Sequence, residues 1–445
     1  YRWTICALLF FGTTINYLDR QVLSLLHPVL EKEFGWTNSD YGTITAVFQL
    51  AYAFFMLLAG RFVDKLGVKK GYTIALIVWS LGAMMHAFAL EIGAFSANVL
   101  GFIGFTGISV SVLGFIVSRL VLGMGESANF PAAIKATAEY FPKKERALAT
   151  GIFNSGSNIG AILAPLTVPW LAYTFGWQSS FIIIGALGFV WLIFWLYYYD
   201  TPLKQKRLSK EELEYIASDT VFDKISEPAP EIKVKWLKLL TYRQTWAYTA
   251  GKFLTDGVWW FFLFWLPSYL TTQFNLTPTE ITLPLAVLYT LTMVGSISGG
   301  WFPMYFINKG YSSYDGRMRA MLVIAFFPLL ILLIQPFGHL SFWVPALLIG
   351  IGASAHQAWS ANVYSTVSDM FPKAAVASVI GIGGMAGGLS GALMSFFVGR
   401  IFDYYKSLGS ISTGYTIVFT ICAFAYLFAW VVMKLLVPKM KIVRL

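Results

Sequence analysis

Charge is what this chain has least of. Asp, Glu, Lys and Arg make up 12% of its 445 residues, where a soluble domain carries roughly 25%, so water is not the solvent for most of its surface. Cysteine is nearly absent: Cys6 and Cys422 stand far apart, each inside an apolar run, which excludes a disulfide framework. No cluster has the spacing of a metal site, no Walker-type phosphate loop occurs, and no nucleophile and base set is visible. We therefore expect no metal, no cofactor, no ATP-driven step and no enzyme. Runs alternating apolar with polar residues, which a membrane barrel needs, are missing as well.

What is abundant is apolar: 57% of residues are hydrophobic and 17% aromatic. Runs of about 20 residues, enough to cross the hydrocarbon of a bilayer, recur at 3 to 30, 41 to 63, 71 to 90, 109 to 138, 147 to 173, 178 to 199, 246 to 272, 281 to 307, 319 to 337, 341 to 368, 375 to 402 and 414 to 436. Backbone in hydrocarbon must satisfy its own hydrogen bonds, so the fold class is an all-α membrane protein with twelve transmembrane helices. The first run is too long for a signal sequence and is expected to stay as a helix. A net charge of +10 could suggest nucleic acid, but the lysines and arginines fall in alternate loops. That pattern indicates membrane topology, with both termini and residues 201 to 243 on the cytoplasmic side against lipid headgroups, and no nucleic-acid partner.

The polar segment 201 to 243 divides a first half, 1 to 200, from a second, 244 to 445. Within it Ser209 precedes Lys210-Glu211-Glu212 as an N-cap precedes a short surface helix. The halves repeat. Phe34-Gly35-Trp36-Thr37-Asn38-Ser39-Asp40 matches Phe274-Asn275-Leu276-Thr277-Pro278-Thr279-Glu280, with Thr37 and Thr277 each placed to cap the next helix. Glu139-Tyr140-Phe141-Pro142-Lys143 likewise matches Asp369-Met370-Phe371-Pro372-Lys373. Matching positions keep the same order, so the repeat is parallel and predicts two pseudo-symmetric six-helix bundles, in which substrate sites lie near the midplane. The stretch 91 to 111, rich in Gly and Phe, reads either as a non-cytoplasmic insert or as an outward extension of helix four.

Gly60-Arg61-Phe62-Val63-Asp64-Lys65-Leu66-Gly67-Val68-Lys69-Lys70 resembles the loop between helices two and three of the major facilitator superfamily. Asn16-Tyr17-Leu18-Asp19-Arg20, Arg119 with Gly125-Glu126-Ser127-Ala128-Asn129-Phe130-Pro131, and Phe141-Pro142-Lys143-Lys144-Glu145-Arg146 resemble its anion:cation symporter branch. Lys252-Phe253-Leu254-Thr255-Asp256 and Ala355-His356-Gln357-Ala358 are similar to bacterial hexuronate transporters. The resemblance covers nearly the whole length, departing at 91 to 111 and at Gly300 to Gly310, where no acid stands at the matching place. It implies a major facilitator fold in the bacterial inner membrane, importing a sugar-acid anion such as glucuronate or galacturonate with protons by rocker-switch alternating access. We expect a monomer whose partners are the small organic anion, protons and lipid. An aldonate or aldarate symporter, an organophosphate:phosphate antiporter and a non-transporting sensor of the same fold stay open. The antiporter would be expected to have arginine in span seven, where this chain has Lys252, and the sensor to lose Asp19 and Glu126.

A charge at mid-bilayer costs about 2.5 to 3.5 kcal/mol or more, so each charged residue there must face a cavity or a partner. Arg20 and Arg119 are the candidates for the substrate carboxylate, which a guanidinium can grip with two parallel hydrogen bonds; the alternative for each is an ion pair that only fixes packing. Asp19 and Glu126 are the candidate proton carriers, since a desolvated carboxyl holds its proton until a cation or water approaches. Adjacent Asp19 and Arg20 suggest that protonating Asp19 frees Arg20 for substrate. Tyr17, Asn129, Asn158, His356, Gln357, Ser360 and Asn362 are candidates for the sugar hydroxyls, and Trp259 or Trp260 for an aromatic wall, with helix packing the equal alternative for any one of them. Arg61, Asp64 and Arg146 are expected to form a cytoplasmic gate.

Overall fold

The computed structural model describes residues 1–102, 107–216 and 236–443, apart from a few side chains within helices. Every regular element among them is helical: α1 (Arg2–Phe34), α2 (Asn38–Leu66), α3 (Val68–Met85), α4 (Ala89–Phe102), α5 (Val110–Glu126), α6 (Asn129–Tyr140), α7 (Lys143–Phe175), α8 (Trp177–Tyr198), α9 (210–216), α10 (Trp236–Leu239), α11 (Arg243–Phe274), α12 (Thr282–Ile307), α13 (Ser313–Phe326), α14 (Ile334–Phe337), α15 (Trp343–Met370), α16 (Lys373–Ser407) and α17 (Ile411–Leu436). Each of the twelve apolar runs falls on one helix or on two consecutive ones. Among the described residues, nine stretches are long and apolar enough to cross a membrane. The other long helices, α1, α11 and α15, have 33, 32 and 28 residues, and they carry Asp19 and Arg20, Lys252 and Asp256, and His356, Gln357 and Asn362.

The distribution of polarity is inverted relative to a soluble protein. Asp19, Arg20, Arg119 and Glu126 are at most 3% exposed, whereas Phe95, Ile297 and Trp301 are at least 70% exposed. Outward apolar side chains on this scale require hydrocarbon around them.

The repeat seen in the sequence is written into the backbone. Gly35 ends α1 at φ 65° and Asn275 ends α11 at φ 53°, both in the left-handed region that stops a helix. Thr37 and Asp40 then exchange hydrogen bonds, the Thr37 N–H reaching Asp40 Oδ2 at 2.9 Å and the Asp40 N–H reaching Thr37 Oγ1 at 3.1 Å. Thr277 and Glu280 do the same at 2.7 and 3.4 Å, so both are capping boxes. Phe141 and Phe371 are extended, and Pro142 and Pro372 open the next helices at φ −62° and −64°. In the linker, the Ser209 hydroxyl accepts the Glu212 N–H at 3.1 Å at the start of α9.

Residues 91 to 102 neither form an insert nor lengthen the fourth span. They belong to α4, which continues the third span after a 3-10 turn at His86–Phe88. The fourth span opens at Val110, whose helix is capped by Ser109. Glycine makes the close packing here possible: a Cβ at Gly93 would strike the Val110 carbonyl, and one at Gly114 the Ala89 carbonyl.

The chain clusters into two units, Tyr1–Val22 with Phe54–Ile232, and Leu23–Ala53 with Lys233–Leu445. In this clustering the C-terminal part of α1 and the N-terminal part of α2 group with the second unit. The bonds that hold them come from α11 and α16. Asp403 of α16 accepts the N–H groups of Asn38 and Ser39 at 2.9 and 2.7 Å and the Asn38 amide at 3.0 Å, so a carboxylate from another helix caps α2. The Tyr41 hydroxyl donates to the Phe264 carbonyl at 2.6 Å, and the Gln49 amide to Ser395 at 3.0 Å.

Candidate functional site

The first unit holds a buried charge cluster built by α1 and α5. On α1, Asn16 and Tyr17 lie four and three residues before Arg20, which places all three on one helix face. Arg20 Nε and Nη2 both donate to a single oxygen, Glu126 Oε2, at 3.0 and 2.7 Å. Nη2 also lies 3.4 Å from Asn16 Oδ1, and the guanidinium sits 4.6 Å from the centre of the Tyr17 ring. Glu126 is fully buried, and its Oε1 has no hydrogen-bond partner among the described residues. Arg119, two turns before Glu126 on the same face of α5, points both Nη atoms at the Arg20 carbonyl at 3.4 Å.

Asp19 and Arg20 do not pair, contrary to what their adjacency suggests. Neighbours on a helix project about 100° apart and do not face each other, so Arg20 is claimed by Glu126 instead. Neither Asp19 oxygen has a hydrogen-bond partner among the described residues, although the carboxyl stays within Coulombic reach of Glu126 and Arg119. With all four groups ionised, Asp19, Arg20, Arg119 and Glu126 carry two positive and two negative charges.

Around this cluster, Asn129 at the start of α6 accepts a hydrogen bond from Tyr72 of α3. Asn158 on α7 is half-buried. The helix bearing it approaches α1 closely at Gly160, where a Cβ would lie 2.9 Å from Tyr17 Cβ. Two contributors went unassigned in the sequence: Tyr72, which carries no local signal, and Asn16, which its spacing of four from Arg20 could have revealed. Of the expected gate, Arg61 is exposed, and the side chains of Asp64 and Arg146 lie outside the described residues.

The second-half candidates gather in the second unit. Trp259 stacks on His356 with ring centres 5.3 Å apart and planes at 9°, and His356 Nδ1 lies 2.9 Å from the Tyr426 hydroxyl. Gln357 and Ser360 are half-buried on the same helix, α15. The Asn362 amide donates to the Gly299 carbonyl of α12 at 2.8 Å and to the Ala358 carbonyl at 2.9 Å, while its Oδ1 has no hydrogen-bond partner among the described residues. Trp260 also packs in an aromatic group, 5.4 Å from Phe264 and 6.4 Å from Phe48.

Helices of membrane-spanning length, apolar outside and charged inside, define a multi-pass membrane protein that handles polar solutes. Residues 9–395 match the model of the Major Facilitator Superfamily, and the chain belongs to that superfamily of transporters. It is 32% identical over 407 residues to the hexuronate transporter of Escherichia coli K12, covering 90% of this chain and 88% of that one. It is 34% identical over 305 residues to the galacturonate transporter of Dickeya chrysanthemi, covering 68% and 82%. The structure of a bacterial homolog of the human lysosomal transporter Spinster, in an inward-facing and occupied conformation, superposes with a TM-score of 0.72 at 16% identity over 98% of this chain and 97% of that one. At that identity the likeness concerns the fold alone.

Proposed function

We propose that this protein is a proton-coupled symporter of the bacterial inner membrane that imports a sugar-acid anion, a hexuronate such as glucuronate or galacturonate, by alternating access. Both termini face the cytoplasm. The observation that carries the proposal is the Arg20–Glu126 pair, a guanidinium whose bidentate fork is occupied by an internal carboxylate. Similarity to hexuronate and galacturonate transporters supports the substrate class.

The coupling follows from charge. An anion entering alone would leave the cluster one charge negative in a low-dielectric interior, and a proton entering alone would leave it one charge positive; both are costly. When a proton binds Glu126 and the substrate carboxylate takes over the fork of Arg20, the sum stays at zero. Arg119 braces the α1 backbone at Arg20 and adds positive potential for the anion. Asp19 is a second proton acceptor beside the first, and its use would make uptake respond to membrane potential as well. Tyr17 offers its ring face and hydroxyl to the sugar, and Asn129 and Asn158 offer hydrogen bonds.

The test is uptake of a sugar-acid panel by purified protein in liposomes with an inward proton gradient. Wild type accumulates glucuronate or galacturonate, Arg20→Ala abolishes binding, and Glu126→Gln retains counterflow but loses accumulation. Accumulation that persists in Glu126→Gln would overturn the proposal.

A further inference from the structure

Two apolar grooves open on the exterior of the helices, one within each unit. The first, of about 320 Å³, lies between α2, α3 and the junction of α5 with α6; the second, of about 340 Å³, lies between α12, α13 and α15. They are one site repeated. Leu58, Ala59 and Phe62 of the first recur in the second as Ser298, Gly299 and Phe302, by the same numerical step that carries the capping residue Thr37 to Thr277. Met124, Gly125 and Ala128 recur as Ser354, Ala355 and Ala358, by the step that carries Phe141 to Phe371. Ile74, Ala75 and Val78 recur, again by one constant step, as Val323, Ile324 and Phe327. Small residues make the floors, where helix backbones close up: a Cβ at Gly125 would lie 2.4 Å from the Trp79 backbone nitrogen, and one at Gly299 would lie 2.2 Å from the Ala358 Cα. Large residues make the rims, where Leu58, Ile74, Val323 and Phe327 are 40 to 47% exposed.

Among the described residues, no charged side chain lines either groove. The Ser127 and Ser298 hydroxyls are turned to the Met124 and Gly295 carbonyls of their own chain segments at 2.7 and 3.2 Å, so water entering a groove would find few partners. A void left unfilled forfeits the dispersion contacts of its walls, and both rims continue the apolar exterior that hydrocarbon must cover. We propose that each groove seats one acyl chain of a bilayer phospholipid. Both volumes fall in the range of ligand cavities, about 300 to 1,000 Å³. A chain gains no hydrophobic energy in passing from lipid to protein, so shape and van der Waals packing set its affinity, and the headgroup has no part in it. In the first unit the chain lies against Gly125 and Ser127, the neighbours of Glu126, directly behind the break between α5 and α6. The proposal is independent of which solute is carried.

Photolabelling tests this: the full chain is irradiated in phosphatidylethanolamine vesicles doped with phosphatidylcholine that carries a diazirine in its acyl chain, and adducts are located by peptide mass spectrometry. Adducts concentrate on the floors of the two grooves, about tenfold over more exposed apolar positions such as Phe95 and Phe428. Ile74→Trp fills the first groove from its rim and lowers the adducts there about tenfold, with the second groove unchanged as an internal control; Val323→Trp does the reverse. Both substitutions stand at half-exposed rims, so neither overpacks the core, and should either variant fail to fold, the wild-type distribution of adducts decides alone. Phosphatidylglycerol carrying the same chain gives the same pattern. Adducts spread evenly over the apolar exterior, a groove filled by tryptophan that labels as before, or labelling that follows the headgroup instead of the chain would overturn the proposal.

Discussion

Glu126→Gln isolates the competition between an internal and an external carboxylate for Arg20. In the wild-type protein Glu126 Oε2 receives two guanidinium hydrogen bonds at 3.0 and 2.7 Å, and both must be surrendered before substrate can take the same donors. A charged hydrogen bond is worth about 1.5 to 3 kcal/mol net. An amide in place of the carboxylate removes most of that competition, so Glu126→Gln should bind glucuronate about tenfold to a hundredfold more tightly in alkaline buffer, where Glu126 is the stronger competitor. The wild-type protein should approach the same affinity only as the buffer is acidified, and the variant should show no such dependence. Stability moves the opposite way: a buried guanidinium that loses its counter-charge costs about 3 to 5 kcal/mol, so substrate should raise the melting temperature of the variant more than that of wild type. Isothermal titration and thermal unfolding of the detergent-purified protein measure both. Weaker binding by Glu126→Gln in alkaline buffer, or an undiminished dependence of its affinity on pH, would refute the competition.

Other expectations concern the scaffold. Asp403→Ala strips the cap from α2 and leaves the Asn38 and Ser39 N–H groups without their acceptor, so it should cost about 1 to 2 kcal/mol in thermal unfolding. Gly160→Val forces α7 away from Tyr17 and should destabilise by about 1 to 3 kcal/mol, with substrate affinity falling as the ring under Arg20 shifts. Asp200 sits outside the membrane spans. Partial burial raises its carboxyl, but the Thr201 N–H and the Lys69 ammonium outweigh that and hold it below the usual carboxylate range. A carboxyl lowered on folding stabilises above its unfolded value of about 3.9 and loses that contribution as the pH falls through the folded one. Asp200→Asn should therefore cost only about 0.3 kcal/mol at neutral pH, the pair being solvent-screened, and the difference in melting temperature should shrink in acid.

Much of the fold was legible because hydrocarbon imposes a simple rule: every span must be long, apolar and helical. The repeat was legible for a local reason, since a chain reversal into a capped helix needs a left-handed residue and a hydroxyl at fixed spacing, which Gly35-Trp36-Thr37 and Asn275-Leu276-Thr277 supply. The charged residues of the cluster were legible by their cost in a membrane. Their partners were not. Arg20 and Glu126 are 106 residues apart, and adjacency pointed wrongly to Asp19, because sequence distance does not show which way a helix face turns. The same limit hid Asp403, whose role as the cap of α2 depends on a contact across 365 residues. The packing contact of the Asn362 amide was equally hidden, since it depends on where the Gly299 carbonyl of another helix lies.

The central claim is that anion and proton enter together through Arg20 and Glu126. Trapping a pH-sensitive dye inside liposomes of purified protein and adding glucuronate outside, with no gradient imposed, measures this directly. Substrate-dependent acidification of the lumen by the wild-type protein, absent from Glu126→Gln, is the predicted result. Glucuronate entry without acidification, or acidification that Glu126→Gln retains, would contradict it.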